Sequence, residues 1–127
     1  MVEERITDPM RKVCVRIVAN LVHWRLADRV EEALKNLGFT YIKNGGHTVT
    51  EFVVDSPCHF MVTIEDRTRQ HVGLLFRSRL KVESLVELRP TIGAGESTAE
   101  LIRCATPLVR ELAPELPENH WEAMWKF

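Results

Sequence analysis

The sequence has few of the features that mark secreted or membrane-spanning proteins. It contains only three cysteines, Cys14, Cys58 and Cys104, which are far apart and form no C-x-x-C pair. This spacing is typical neither of a disulfide framework nor of a zinc ribbon, so it predicts reduced, buried thiols in a cytoplasmic protein. The acidic N-terminus precedes no apolar run, and every stretch of about eighteen residues contains a charge, so we expect neither a secretion signal nor a membrane span.

The chain also lacks a large net charge of either sign. Lys and Arg total 17 and Asp and Glu total 18, so the chain has no overall field that would gather nucleic acid or anionic lipid. Nucleic-acid binding would therefore require a local basic patch. Amides are scarce as well, because the chain has a single Gln and four Asn, which favours a thermophilic source.

What the chain does contain is a composition suited to one packed core. Its 127 residues are 45% apolar and 28% charged, which predicts a single domain over 1–127 that needs no metal or disulfide to fold. The order of periodic segments predicts an α+β fold. We expect an antiparallel meander of four to five strands, packed against one or two N-terminal helices and against C-terminal helices.

The N-terminal third can be interpreted in two ways before its first clear helix. Asp8-Pro9 resembles a helix start and apolar residues then recur at helical spacing, which we favour, but alternation over 12–19 fits a strand. From Leu26 to Leu37, apolar and charged residues separate onto two faces, and Gly38 follows. This segment predicts an amphipathic helix that ends at the glycine.

The central third predicts the meander. A turn at Gly45-Gly46 would pair Phe39 with Phe52, and a turn at Ser56-Pro57 would pair Phe52 with Val62. A loop over 66–70 would then place Ile64 opposite Val72 and Phe60 opposite Phe76. All three turns put the same apolar residues on one face. A fifth strand over 85–89, with Val86 and Leu88 inward, completes the sheet.

The C-terminal third predicts helices. Ser97 to Glu100 form a capping box before an apolar helical pattern, and Pro107 should kink or restart that helix. A short last helix would carry an aromatic stripe. We predict that this stripe either docks on the domain or forms a partner-binding anchor of Trp121, Met124, Trp125 and Phe127.

One basic patch stands out on the predicted sheet. It comprises Arg67, Arg69, Arg77, Arg79 and Lys81. These residues could follow a nucleic-acid backbone, although a solubilising sheet face balanced by nearby glutamates is the simpler interpretation. The patch lacks the aromatic platforms on which single-strand binders stack bases.

The remaining motifs do not define a catalytic or metal site. His47, His59 and His71 each begin a predicted strand, but alternate strand starts lie at opposite ends of a meander, so we predict no metal site. The loop over 93–97 lacks the third glycine of a dinucleotide fingerprint and the lysine of a P-loop. No acid, base or nucleophile set can be named, and we expect no enzymatic activity and no cofactor.

The segment from Ala27 to Leu80 resembles the YbjN-like proteins and the type III secretion chaperones. The resemblance rests on a helix ending at Leu37-Gly38, the Asn44-Gly45-Gly46 hairpin, and the strands over 60–65 and 72–79. It implies helices around a small antiparallel sheet, no catalytic residues, and a dimer that holds a partner. These families place a helix soon after the third strand, where Val86–Arg89 here predicts a strand.

Three functional hypotheses follow. The first is a non-enzymatic, chaperone-like interaction domain, a homodimer or a binder of another protein, that uses a sheet edge or the C-terminal aromatic stripe. The second is a nucleic-acid-binding accessory protein that uses the basic patch. The third is a ligand-binding domain or enzyme with a site between the sheet and the 93–97 loop, which would need a concave pocket with converging polar groups.

Overall fold

In the part of the chain that the structure describes, a five-stranded antiparallel sheet with two helices forms the fold, which confirms the predicted α+β class. The structure is a computed structural model that describes residues 15–72, 78–91, 95 and 97–114. Its elements in chain order are β1 (Val15–Ala19), α1 (His23–Asn36), β2 (Thr40–Asn44), β3 (Val49–Ser56), β4 (Phe60–Asp66), β5 (Arg69–Val72), β6 (Ser78–Lys81), β7 (Ser84–Pro90) and α2 (Thr98–Leu112). The sheet order is β1-β7-β4-β3-β2, while β5 and β6 pair only with each other.

The favoured N-terminal helix is wrong over residues 15–19, where the chain forms β1. Val15 and Ile17 are buried, whereas Arg16 and Val18 point to the other side. These β-branched residues pack well on a pleated surface, and β7 supplies the hydrogen-bonding partner strand. The predicted helix start at Asp8-Pro9 lies outside the described residues.

Helix α1 is confirmed and begins at His23, three residues before the predicted start. Its buried residues include Leu26, Val30 and Leu34, which recur at helical spacing. Gly38 has a φ of +80°, and the Phe39 N–H donates to the Leu34 carbonyl at 2.9 Å. A left-handed residue of this kind favours glycine, which explains why the helix ends there.

The β2–β3 hairpin keeps the predicted inward face but has a different register. Lys43, rather than Phe39, lies opposite Phe52, because the loop runs from 45 to 48 instead of turning on two residues. The shift is an even number of residues, so the same side chains face the helices. At Gly46 a Cβ would lie 2.6 Å from the Val49 carbonyl oxygen, so the loop closes only around a glycine.

The β3–β4 register is confirmed, since Val54 lies opposite Phe60 and Phe52 opposite Val62. The turn between these strands contains a cis Ser56-Pro57 peptide bond. The short turn places Val54 opposite Phe60, and this register puts the apolar residues of both strands on one face.

The predicted partner of β4 is wrong. Strand β4 pairs with β7 instead of with 72–76, so that Val62 lies opposite Leu88 and Ile64 opposite Val86. The fifth strand is therefore confirmed with Val86 and Leu88 buried, but it lies between β4 and β1. Both pairings place the same residues on the helix side, so alternation alone could not distinguish them.

Helix α2 begins with the predicted cap, in which the Ser97 Oγ accepts from the Glu100 N–H at 3.2 Å. The helix runs through Pro107 to Leu112 without a restart. Near the proline, the Thr106 hydroxyl donates to the Ile102 carbonyl at 2.5 Å. The proline ring removes the backbone donor of the Arg103 carbonyl, and the Thr106 bond supports the neighbouring carbonyl in the same turn. The predicted last helix lies outside the described residues.

Cys58 and Cys104 form a disulfide, so the prediction of reduced thiols is wrong for this pair. Their Cα atoms lie 6.4 Å apart, and the bond ties α2 to the turn between β3 and β4. Cys58 is buried, as predicted. Sequence spacing could not reveal the pairing, because tertiary packing brings together residues separated by 46 positions. The argument that reduced thiols indicate a cytoplasm therefore no longer holds.

Candidate interaction surface

Both helices pack against one side of the five-stranded sheet. We call the other side the open face: among the described residues, its side chains on β2, β3 and β4 are exposed or half-buried, while Leu85 and Glu87 of β7 are buried on it. The register places Ile42, Val53 and Met61 next to one another across β2, β3 and β4 on this face. Ile42 is 66% exposed, whereas Val53 and Met61 are half-buried. These three side chains form an apolar strip that ends at the edge of the sheet.

The edge strand β2 has no partner strand on its outer side within the described part of the chain. Its helix side is held by Glu31 of α1. The Tyr41 hydroxyl donates to Glu31 Oε2 at 2.7 Å, and Lys43 Nζ lies 3.1 Å from Glu31 Oε1. Tyr41 also packs edge-to-face on Phe52, with ring centroids 5.5 Å apart. Strand β2 is therefore fixed in position while its outer backbone groups remain unpaired by any described strand.

These contacts shift the pKa values of both partners in the Tyr41–Glu31 pair. Burial, followed by the hydrogen bond to Glu31, raises the pKa of Tyr41 to about 12. The hydrogen bonds from Tyr41 and Lys43 lower the pKa of Glu31. Both shifts favour the neutral phenol beside a charged carboxylate, which is the arrangement that a strong hydrogen bond requires.

The opposite edge strand, β1, carries a charged cluster on its open face. Arg16 Nε lies 2.7 Å from Glu87 Oε2, and Arg89 forms a second ion pair with Glu87. The Glu87 side chain is only 9% exposed, so its charge depends on these guanidinium groups. The cluster places a cation at the β1 edge, which makes this edge chemically unlike the β2 edge.

A group of buried polar contacts lies where β3 begins and β4 ends. His23 Nε2 and Thr50 Oγ1 are 2.6 Å apart, and both residues are buried. Nearby, the Ser84 hydroxyl donates to the Leu21 carbonyl at 2.7 Å. Bonds from the Thr68 side chain and backbone lower the pKa of Asp66. These groups satisfy one another and hold the end of the sheet together, so they form a structural cluster.

A cleft of about 480 Å³ lies beside the disulfide. It is lined by Pro57, Cys58, Glu100, Arg103 and Cys104. Both cysteines are consumed by the disulfide, so the cleft offers no free thiolate for nucleophilic chemistry. Most of the 93–97 loop, where the third hypothesis placed a ligand site, lies outside the described residues.

The predicted basic patch is divided by the fold. Arg67 lies at the end of β4, where its Nε is 3.1 Å from Glu65 Oε1. Arg69, Arg79 and Lys81 belong to the separate β5–β6 hairpin. Arg77 lies outside the described residues. The meander had placed the patch on the open face of the main sheet, whereas only Arg69, Arg79 and Lys81 stay together, on the separate hairpin.

The other predicted site residues have different outcomes. The anchor residues Trp121, Met124, Trp125 and Phe127 lie outside the described residues. His59 Nε2 lies 3.3 Å from Asp55 Oδ1, and His47 is exposed on the β2–β3 loop. In the part of the chain that the structure describes, no group of three or more metal-binding side chains converges.

Among the same described residues, no helix is both long and apolar enough to cross a lipid bilayer.

Sequence reasoning missed Ile42 and Glu87. The alternation of Tyr41, Ile42 and Lys43 placed Ile42 on the outer face, but its importance depends on β2 being an edge strand. Glu87 interrupts an apolar run between Val86 and Leu88, and this single charge was the available signal for a buried ion pair.

Comparison with protein-family models and with curated proteins found no relative. No protein-family model matches the sequence, and no curated protein matches it.

Proposed function

We propose that this chain is a non-enzymatic interaction domain that forms a homodimer through the outer edge of β2. The observation that carries the proposal is the exposure of Ile42 on an edge strand without a described outer partner, at the end of an apolar strip. Exposed edges invite pairing with another strand, and proteins that stay monomeric usually block them with charge, proline or a bulge.

The two edges of the sheet differ in this protection. At the β1 edge, the open face carries exposed Val18 and also Arg16, a charged residue engaged with Glu87. At the β2 edge, the central open-face position is Ile42, and a charged side chain, Lys43, lies on the helix side. The register of β2 shifts between Thr40 and Tyr41, so this irregularity lies at the start of the strand and Tyr41 to Asn44 pair regularly with β3. Strand β2 is therefore the edge better suited to pairing.

The restraint on β2 also favours association. Glu31 fixes Tyr41 and Lys43, so the strand loses little conformational freedom when a partner strand is added. Main-chain hydrogen bonds would supply affinity, as they do when an extended peptide adds to a sheet edge. The partner would meet a strand that is already extended and held.

A second copy fits this edge because the edge is self-complementary. Antiparallel pairing about a two-fold axis at position 42 places Ile42 opposite the same residue of the partner. The same axis places Tyr41 opposite the partner's Lys43, so no two lysines face each other directly. The two apolar strips then join into one surface across a ten-stranded sheet. That surface is where a chaperone-like domain would hold an extended segment of a further protein.

The test is the solution mass of matched edge variants, measured by native mass spectrometry and by light scattering after size exclusion. We expect wild type to be a dimer and Ile42→Lys to be a monomer with unchanged thermal unfolding. Val18→Lys is the control, since Val18 is 61% exposed on the opposite edge. A monomeric wild type at micromolar concentration, or a monomeric Val18→Lys with a dimeric Ile42→Lys, would refute the proposal.

We also propose that the protein works in the cytoplasm of a thermophile. Disulfides are rare in most cytosols but are common in the intracellular proteins of hyperthermophiles, where the Cys58–Cys104 bond is expected to persist. The scarcity of Asn and Gln agrees with such a source. The purified protein should unfold above about 90 °C, which is the usual mark of a hyperstable domain. An unfolding temperature in the range typical of mesophilic proteins would contradict a thermophilic source.

A further inference from the structure

The Cys58–Cys104 disulfide borders the cleft of about 480 Å³, which both cysteines line. The two residues differ in exposure, since Cys58 is only 4% exposed whereas Cys104 of α2 is half-buried. Disulfides that a small thiol can reach are the labile ones, whereas cysteines enclosed in a core are unreactive. A molecule in the cleft therefore has access to the disulfide, and the more accessible half of the bond is Cys104.

Two side chains of opposite charge line the same cleft. Glu100 and Arg103 are both exposed residues of α2, and neither side chain forms an ion pair or a hydrogen bond with any residue that the structure describes. Glu100 precedes Cys104 by one helical turn, so the carboxylate and the sulfur lie on the same side of the helix. The cleft therefore presents one anion and one cation beside the disulfide, and both are available to a ligand.

This pair of charges favours a ligand that is itself zwitterionic. Arg103 attracts a carboxylate and Glu100 attracts an ammonium group, and an α-amino acid group carries both. The cleft volume lies in the range that holds ligands larger than a single amino acid. Reaction with the disulfide requires in addition a thiol on the ligand. These features together describe a small peptide thiol with free carboxylate and ammonium groups.

We propose that the cleft binds a small thiol bearing an α-amino acid group, and that this thiol exchanges with the disulfide at Cys104. The ligand thiolate attacks Cys104 Sγ, so a bond forms between the ligand and Cys104 while the Cys58–Cys104 bond breaks. The electron pair of the broken bond stays on Cys58 Sγ, which leaves as a thiolate and takes a proton from solvent. One disulfide replaces another, so no further oxidant or reductant is consumed. The product is a reversibly modified Cys104.

Exchange changes how α2 is attached to the sheet. The disulfide ties the helix to the β3–β4 turn, and its opening removes that tie. The helix keeps its buried apolar face, which includes Leu101, Ala105 and Leu108, so the reaction takes place in the folded domain. Attack of the Cys58 thiolate on Cys104 Sγ then restores the bond and releases the ligand. This inference is separate from dimerisation, which uses the outer backbone of β2.

The experiment treats the oxidised wild-type protein with excess glutathione or with 2-mercaptoethanol, which has neither a carboxylate nor an ammonium group. Samples are quenched with acid at successive times, free thiols are alkylated, and peptide mass spectrometry shows which cysteine carries glutathione. The variant is Arg103→Glu. The matched control is Arg29→Glu, which makes the same charge change at an exposed position of α1. Thermal unfolding checks that both variants are folded.

We expect glutathione on Cys104 and a free thiol on Cys58. The informative quantity is the rate of opening by glutathione divided by the rate with 2-mercaptoethanol, because a charge change affects every thiolate to some extent. This ratio should fall about fivefold in Arg103→Glu, the size expected for reversing one partner of an exposed ion pair, and should not change in Arg29→Glu. Glutathione on Cys58, an unchanged ratio in Arg103→Glu, or an equal fall in Arg29→Glu would overturn the proposal.

A second measurement tests the ammonium site. The rate with cysteine is divided by the rate with N-acetylcysteine, in which the ammonium group is blocked. We expect Glu100→Gln to lower this ratio about twofold relative to wild type. An unchanged ratio would overturn the assignment of a zwitterionic ligand. Opening of the wild-type disulfide that is no faster than global unfolding under the same conditions would show that the folded cleft does not admit the thiol, and would also overturn the proposal.

Discussion

Tyr41 of β2 donates a hydrogen bond of 2.7 Å to Glu31 of α1, and this contact fixes the edge strand that we propose as the dimer interface. The chain has a single tyrosine, so the state of this contact can be followed by the absorbance of one phenolate. Its pKa is raised to about 12, chiefly by burial and then by Glu31.

We predict that Glu31→Gln lowers the pKa of Tyr41 from about 12 towards the ordinary 10.0, because the charged acceptor is lost while burial remains. The measurement is an alkaline titration of the phenolate absorbance. Glu32→Gln is the control, as Glu32 is exposed on the same turn of the helix. An unchanged midpoint in Glu31→Gln would show that Glu31 does not hold Tyr41 in solution.

The same pair predicts how stability depends on pH. The pKa of Tyr41 is raised in the fold, so its stabilising contribution is present below pH 10.0 and is lost as pH rises towards 12. The pKa of Glu31 is lowered from 4.5, so its contribution is present above that pH and is lost as pH falls below it. Denaturant unfolding of wild type and Glu31→Gln should therefore differ near neutrality and converge in acid. A difference that persists at pH 2 would contradict this account.

We predict that removing the disulfide destabilises the domain substantially. The bond joins residues separated by 46 positions. For a loop of that length, chain entropy gives a loss of about 4 kcal/mol. The measurement is urea unfolding of Cys58→Ser with Cys104→Ser, and of wild type with and without reductant. The double variant is also the control, because its unfolding should not respond to reductant. Identical unfolding of wild type in oxidising and reducing buffer would indicate that the bond does not form in solution.

We predict that Arg16 and Arg89 protect Glu87 cooperatively. Replacing either arginine with alanine leaves the buried carboxylate with the other and should cost about 1 kcal/mol. Replacing both removes the two guanidinium groups from a buried charge and should cost about 3 kcal/mol or more. The double loss should therefore exceed the sum of the single losses in denaturant unfolding. Strict additivity would mean that Glu87 is solvated rather than paired.

We predict that Thr50→Val destabilises the fold by about 1 to 3 kcal/mol, because it leaves the buried His23 Nε2 without its 2.6 Å partner. Thermal and urea unfolding measure the loss. Thr63→Val is the matched control, since Thr63 is half-buried on the open face and its replacement should change stability by no more than about 0.5 kcal/mol. Equal effects of the two substitutions would remove any special role for the histidine contact.

The parts of the fold that could be predicted from sequence are those decided by local signals. Gly38 and Ser97 end and begin helices through their own conformation and hydrogen bonds, and both boundaries are confirmed. The short turn at Ser56-Pro57 fixes the β3–β4 register. Where two secondary-structure patterns fit the same residues equally well, the sequence could not decide between them. Residues 15–19 fit both a helical and an alternating pattern, and the outcome depends on pairing with β7.

The candidate sites were harder to predict than the fold because they depend on long-range pairing. The partner of β4 determines whether the strands over 69–72 and 78–81 belong to the main sheet or pair with each other, and alternation is the same in both cases. Position 42 becomes an interface only when β2 is an edge strand. The Cys58–Cys104 bond likewise depends on α2 packing over the β3–β4 turn.

The most direct test of the central claim is amide hydrogen exchange along β2, measured at high and low protein concentration. If β2 pairs with a second copy, its outward-facing amides should be protected at high concentration and should exchange faster on dilution, while the amides of β1 stay unchanged. Exchange along β2 that is independent of concentration, or concentration-dependent protection on β1 instead, would contradict a dimer formed through the β2 edge.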